Sequence, residues 1–360
     1  MPTFREELRS VNPYRPGKPI EEVAREHDLE RIIKLASNES PLPPFPEVQQ
    51  AIAHHAAEAN RYPDHERFYL GRAVARHHGI AEEHLLFGGG TTELLLVTAL
   101  SVSGPHTSAV YPWPSFVMYP IVTKLAGARC LEVPLDDRLR HDLEAMAGAV
   151  REDTTVVYVC NPNNPTGTYV AGEDLFEFID RLPSRVLVVV DEAYYDFAQA
   201  ADYESALPLA LERENVLVTR TFSKVYGLAG LRVGYLIGHT GTLDQLRRAQ
   251  IPFSVSSLAQ VAAIESLNHP DRVIERIEHN AEGLKLFSDE LAARRIPYAE
   301  SQTNFVYLRP GDDARRVHQA MLRKGVIIRP MEDGWCRVTV GTEAENRTFF
   351  ETLDEVRPEL

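Results

Sequence analysis

Cysteine is scarce in this 360-residue chain, and the three that occur, Cys130, Cys160 and Cys336, stand far apart with no CxxC pair. That excludes a disulfide framework and a structural zinc site, and it fits a reducing, cytoplasmic setting. Positive charge is in deficit: 38 lysines and arginines against 52 aspartates and glutamates leave a formal net charge of −14. A field of that sign disfavours nucleic acid and anionic membranes as partners and favours solubility. Any phosphorylated ligand must then be gathered by a local cationic site. No apolar run approaches the length that spans a bilayer. The N-terminal MPTFREELRSVNPYRPGKP mixes charges with prolines, so no signal peptide is expected. The histidines form no HExxH or comparable ligand pattern, so no metal site is expected; His54–His55 and His77–His78 lie in polar helical stretches and are expected to face solvent.

What is present is an ordinary globular composition, 44% hydrophobic, in a chain too long for one core, so two packed domains are expected. Seven prolines between Pro13 and Pro46 argue against regular helix and predict an extended arm over residues 1–45. A helix is predicted from Glu47 to Ala59. From Thr107 strands and helices alternate, with TSAVY, ARCLEV, TTVVYVC, RVLVVVD, NVLVTRTF and RVGYLIG as strands and helices over 115–126 and 172–181. Near-continuous apolar strands alternating with helices mean a mostly parallel sheet covered on both faces, whose ligands gather beyond the carboxyl ends of the strands. After about Ile251 the pattern becomes α+β: a long helical stretch, broadly Leu258–Arg295, a strand NFVYL, a helix over 313–324, strands VIIR and CRVTV, and a helix from Thr342. The expected division is an arm (1–45), a large domain (46–250) and a small C-terminal domain (251–360).

Four segments carry chemistry. In TRTFSKVYGLAGLRVGY, from Thr219, the hydroxyls of Thr221 and Ser223 and the guanidinium of Arg232 suit a phosphate dianion, and Lys224 is then placed to condense with an aldehyde. A lone loop lysine is usually a solvated surface residue; the flanking groups make this one different. In VVVDEAYYDF, Asp191 ends a wholly apolar strand, with Tyr194 three residues on. It is either an ordinary turn cap or the partner of a protonated pyridine nitrogen, with Tyr194 bonding the ring's phenolic oxygen. CNPNNPTG, from Cys160, is a turn that offers an asparagine, Asn164, beyond a buried strand. LLFGGGTTELLL, from Leu85, feeds a glycine run into a helix start, with Thr91 or Thr92 near the cap and free N–H groups suited to phosphate.

Together these segments resemble the fold type I pyridoxal-phosphate aminotransferases, and within them the histidinol-phosphate aminotransferase family. NPYRPGKP, KLASNESPL, NRYPD and RVTVGT extend the resemblance over nearly the whole chain. It implies an α/β fold, with a mostly parallel seven-stranded sheet in the large domain and a smaller α+β domain, and the cofactor pyridoxal 5′-phosphate. It implies that Lys224 is the Schiff-base lysine and proton shuttle, that Asp191 pairs with the pyridinium, and that Asn164 and Tyr194 bond the phenolic oxygen. Gly90, Thr91, Thr92, Thr221, Ser223 and Arg232 would surround the phosphate, with Phe116 stacked on the ring. Tyr62 would reach the phosphate of a neighbouring subunit, hence a homodimer. Arg329 and Arg337 would meet the substrate's anionic group, with Tyr14 and Asn38 lining the pocket.

The implied reaction moves an amino group between histidinol phosphate and 2-oxoglutarate, with glutamate as the other product. The chain departs from the family at Phe116, where a tyrosine is common, at QIPFSVSS, which lacks two asparagines and a basic residue, and at GGGTTE. Ser254, Ser256 and SQTNFVYL also resemble the aromatic amino-acid aminotransferases, so phenylalanine or tyrosine is the alternative substrate.

Overall fold

The computed structural model describes residues 3–13, 17–27, 29, 31–331 and 334–357. Its strands are β1 (Ile33–Lys34), β2 (Leu85–Gly88), β3 (Ser108–Trp113), β4 (Arg129–Pro134), β5 (Thr154–Cys160), β6 (Leu187–Asp191), β7 (Val216–Thr221), β8 (Gly234–Gly238), β9 (Tyr298–Ala299), β10 (Phe305–Leu308), β11 (Val326–Ile327), β12 (Arg329–Pro330) and β13 (Cys336–Thr339). Seven of them form one sheet in the order β2-β8-β7-β6-β5-β3-β4, parallel except for β8, which runs against both neighbours. The core strands β5 and β6 and the first half of β7 are largely apolar and β-branched because helices cover both faces of the sheet. The expected mostly parallel seven-stranded sheet is the sheet observed.

A second, antiparallel sheet, β12-β13-β10-β9, has its own core around Phe287, Leu308, Val338 and Phe349. The core of the large sheet reaches past residue 250 and takes in Ala259, Ala262 and Ala263 of the helix Ser257–Leu267.

Three expectations are corrected. The single long helix is two, Ser257–Leu267 and Pro270–Ala293: Pro270 has no N–H to continue the first helix and instead sits at the start of the second. VIIR is not one strand but changes partner at Ile328, with β11 pairing parallel to β1 and β12 antiparallel to β13. The N-terminal arm contains a helix, Ile20–His27, which begins straight after Pro19 in a run with no proline until Pro41 and buries Val23 beside Leu322 and Ile327. Pairing of β1 with β11, together with the bond from Thr339 N–H to the Leu35 carbonyl (2.8 Å), carries residues 36–39 to the carboxyl edge of the large sheet.

Candidate active site

Along that edge the ends of β2, β3, β5, β6 and β7 and the start of the reversed β8 face one cavity of about 280 Å³, closed on the far side by residues 37–39 and by Arg329 and Arg337. Because β8 is antiparallel, its entrance, not its exit, lies at this edge, which is why Arg232, two residues before the strand, joins a site otherwise built from strand ends.

Asp191 lies at the floor and is 2% exposed. Thr219 Oγ1 (3.0 Å) and the Ala193 N–H (3.3 Å) donate to its Oδ1, and Tyr119 Oη (3.1 Å) donates to Oδ2. All three donors are neutral, and among the described residues no cation forms an ion pair with this carboxylate. Burial pushes its pKa up and the three bonds only partly oppose that. Thr219 and Tyr119, which hold this carboxylate, are positions that the sequence reading missed. Thr219 was within reach of it, since Asp191 and Thr219 are register partners on β6 and β7; Tyr119, on a helix after β3, has no local signature.

Across the cavity Lys224 Nζ donates to the Asn38 carbonyl (3.1 Å) and lies 5.5 Å from the centre of the Tyr194 ring. Burial, then the positive charge of Arg337, lower its pKa to about 8 against the pull of Glu39. Asn38 has a left-handed backbone (φ 53°), which its short amide side chain tolerates; its N–H donates to Thr339 Oγ1 (2.9 Å) and its Nδ2 to Tyr194 Oη (2.8 Å). Asn164 Oδ1 accepts from Arg337 Nη1 (2.6 Å), while Arg337 Nη2 donates to the Ala36 carbonyl (2.8 Å). The other asparagines of that turn serve the scaffold: Asn161 bonds the Val170 backbone in both directions, and Asn163 is held by Ser115, Pro114 and Thr166.

At the remaining corner the helix Thr91–Val102 begins, capped by Gly90 (φ 91°) with no side-chain cap bond, so the threonine hydroxyls expected near the cap are not spent on it. A Cβ on Gly90 would overlap the Arg232 guanidinium. Thr221 Oγ1 donates to Ser223 Oγ (3.0 Å), and Arg232 reaches the Ala229 carbonyl (3.1 Å) and the Gly89 carbonyl (3.4 Å). Phe116 lines the cavity wall, edge-on to Tyr119.

Of the residues singled out from sequence, Gly90 backs the cavity through Arg232, and Tyr62 does not line it: its side chain is 83% exposed and stacks on Phe253 (4.8 Å). Tyr14 lies outside the described residues. Every other residue singled out, from Asn38 to Arg337, lines the cavity. His78 corrects another expectation: rather than facing solvent it bonds Tyr235 Oη (2.8 Å) and the guanidinium of Arg220 (3.3 Å), because it ends its helix against these two side chains of β8 and β7.

The family model described as aminotransferase class I and II matches residues 30–353. The chain belongs to this family. An aromatic amino acid aminotransferase of Streptomyces coelicolor is 42% identical over 359 residues, covering 100% of this chain and 99% of that protein. A histidinol-phosphate aminotransferase of a Geobacillus species is 41% identical over 357 residues, 98% of each. Among solved structures, the histidinol-phosphate aminotransferase of Sinorhizobium meliloti in complex with pyridoxal-5′-phosphate superposes with a TM-score of 0.92 at 30% identity, covering 99% of this chain and 98% of that one.

As a class I and II aminotransferase the chain is a pyridoxal-phosphate-dependent transaminase of fold type I, acting on amino-acid and keto-acid substrates. Its donor set fits that cofactor. A buried carboxylate without a cation suits a pyridinium. The opposite corner joins free helix N–H groups, hydroxyls and a guanidinium in a cradle that a Cβ on Gly90 would fill, which suits a phosphate.

Proposed function

We propose that this aminotransferase moves the amino group of L-histidinol phosphate to 2-oxoglutarate, giving the corresponding ketone and glutamate. The observation that carries the reading is that two arginines, Arg329 and Arg337, line the same cavity as Lys224 and the phosphate corner, with Arg337 and Arg232 both within electrostatic reach of Lys224. The amino donor ends in a phosphate and the acceptor in a second carboxylate, so both present an anion beyond the reacting carbon, and a guanidinium pair meets either.

Bound pyridoxal phosphate supplies an aldehyde that condenses with amines and a ring that draws electrons from the adjoining carbon. In this reading Asp191 holds the pyridine nitrogen protonated from its buried position, and Tyr194 and Asn164 bond the phenolic oxygen. Thr91, Thr92, Thr221, Ser223 and Arg232 hold the phosphate, and Phe116 covers one ring face. Lys224 Nζ would take the proton from the substrate's Cα and, as its conjugate acid, give it to the cofactor carbon that had carried the aldehyde oxygen. An amine with a pKa of about 8 is near balance between its two forms at neutral to mildly alkaline pH, which suits a group that must act first as base and then as acid. Asn38 orients this amine through its carbonyl and Tyr194 through its amide.

The exposed Tyr62, stacked on Phe253, supports a homodimer in which it reaches the partner's phosphate corner. A second reading, transamination of phenylalanine or tyrosine with 2-oxoglutarate, is favoured by the relative from Streptomyces coelicolor. The deciding experiment is kcat/KM for L-histidinol phosphate and for L-phenylalanine with 2-oxoglutarate as acceptor. The first reading expects a preference of at least ~10-fold, about 1.4 kcal/mol, for the phosphorylated donor; a preference for phenylalanine of that size overturns it.

A further inference from the structure

Glu93 is out of place by charge. It is the third residue of the helix Thr91–Val102, whose N-terminus forms the phosphate corner, so a carboxylate lies in the first turn beside a site built for a dianion. Its geometry gives it a task. Glu93 Oε2 accepts the Gly89 N–H (2.9 Å), and the carbonyl of the same residue, Gly89, accepts from Arg232 Nη2 (3.4 Å). The peptide groups on either side of Gly89 thus link the carboxylate to the guanidinium that faces the phosphate.

The packing is tight at each link. A Cβ on Gly89 would stand 2.6 Å from Glu93 Oε2 and 3.3 Å from the Ser254 carbonyl, and a Cβ on Gly88 would stand 3.3 Å from Glu93 Oε1. The glycine run is therefore shaped around this side chain as well as around the cofactor. Arg67, buried and held in a left-handed backbone (φ 55°), lies within electrostatic reach of Glu93 and offsets its charge.

We propose that Glu93 is a positioning residue that fixes the Gly88–Gly90 loop through the Gly89 N–H and so sets Arg232 and the first-turn N–H groups for the phosphate. Glu93 does not touch the phosphate; it acts through Gly89. The inference rests on the reading that this corner holds the cofactor's phosphate.

The test compares the affinity of the apoprotein for pyridoxal phosphate with that for pyridoxal, which lacks the phosphate, by absorbance titration of wild type, Glu93→Ala and Glu93→Gln. If wild type does not prefer the phosphorylated form, the reading of the corner itself fails. Given that preference, Glu93→Ala is expected to reduce the ratio about tenfold, the effect of one half-buried N–H losing a charged acceptor, with pyridoxal affinity little changed. Glu93→Gln, which keeps an oxygen for Gly89, is expected to restore most of the ratio. A ratio in Glu93→Ala within about twofold of wild type, or an equal loss for both ligands, overturns the proposal. Should the alanine variant not fold, Glu93→Asp, one methylene short of Gly89, is read in its place against the same limits.

Discussion

Asp191 and Glu192 follow one another at the end of β6, exposed by only 2% and 1%, yet they live in opposite electrostatic settings. Glu192 points to the side of the sheet away from the cavity. Its Oε2 meets Arg220 Nη2 at 2.8 Å and Nε at 3.0 Å, and Ser205 and the Ala206 N–H fill the rest of the carboxylate. Arg220 in turn lies 3.7 Å over the Tyr195 ring. That network is closed: charge, counter-charge and every partner belong to the chain. Asp191 has neutral donors alone. Taking a carboxylate out of water without a counter-ion costs several kcal/mol, and the chain bears that cost at one of two adjacent positions. The difference separates scaffold from site: a buried charge whose compensation is complete holds the fold, and one whose compensation is missing waits for a ligand of opposite sign.

The contrast can be broken experimentally. The largest effect is expected from removing the other uncompensated group: Lys224→Ala should lower turnover by roughly 10⁴-fold or more and abolish the visible absorption band that wild type gains when titrated with pyridoxal phosphate. Asp191→Asn should lower kcat by roughly 10³-fold, about 4 kcal/mol, while the apoprotein melts at the same temperature or higher, since a costly charge has gone. Glu192→Gln should do the reverse. Breaking the closed pair leaves Arg220 buried without its counter-ion, so urea denaturation should show a loss of roughly 3 kcal/mol, with kcat of the folded enzyme within a few-fold of wild type. If Asp191→Asn destabilises the apoprotein as much as Glu192→Gln does, the distinction between the two carboxylates fails.

Legibility in the sequence follows the same line. Lys224, Asp191, Asn164 and Arg232 could be read because each stands at a strand boundary, where apolar β-branched runs stop abruptly and unusual residue types follow within a few positions. The parallel sheet was readable for the same reason. Tyr119 could not be found: its bond to Asp191 spans 72 positions and depends on how a helix packs on the sheet, which no local pattern encodes. His78 was misplaced because helical periodicity in a polar stretch does not reveal that the helix ends against Tyr235 and Arg220. The break at Ile328 was missed because a β-branched run reads the same whether it pairs with one strand or two, and the partner, β1, lies nearly 300 residues away. The role of Glu93 lay between these cases, since its place in GGGTTE is visible in sequence but its bond to Gly89 is not.

The smallest expected effect is a pH dependence, and its sign follows from Lys224. Burial and Arg337 hold the folded-state pKa at about 8, below the value near 10.5 of a lysine in water. Below pH 8 the amine is protonated in folded and unfolded apoprotein alike, so the full cost of its buried charge is present and constant. Between pH 8 and 10.5 the unfolded chain binds more protons than the folded one, so this group makes stability rise with pH. Comparing urea midpoints of apo wild type and apo Lys224→Ala isolates the effect, since other titrations are shared. The stability of wild type relative to the variant should increase by roughly 1–2 kcal/mol between pH 7.5 and pH 9.5. Saturating pyridoxal phosphate, which engages the amine, should remove that rise. A difference between the two proteins that stays flat across this range would mean that the amine is not desolvated in the empty fold, and Lys224 would then lose its place beside Asp191 as a group awaiting a partner.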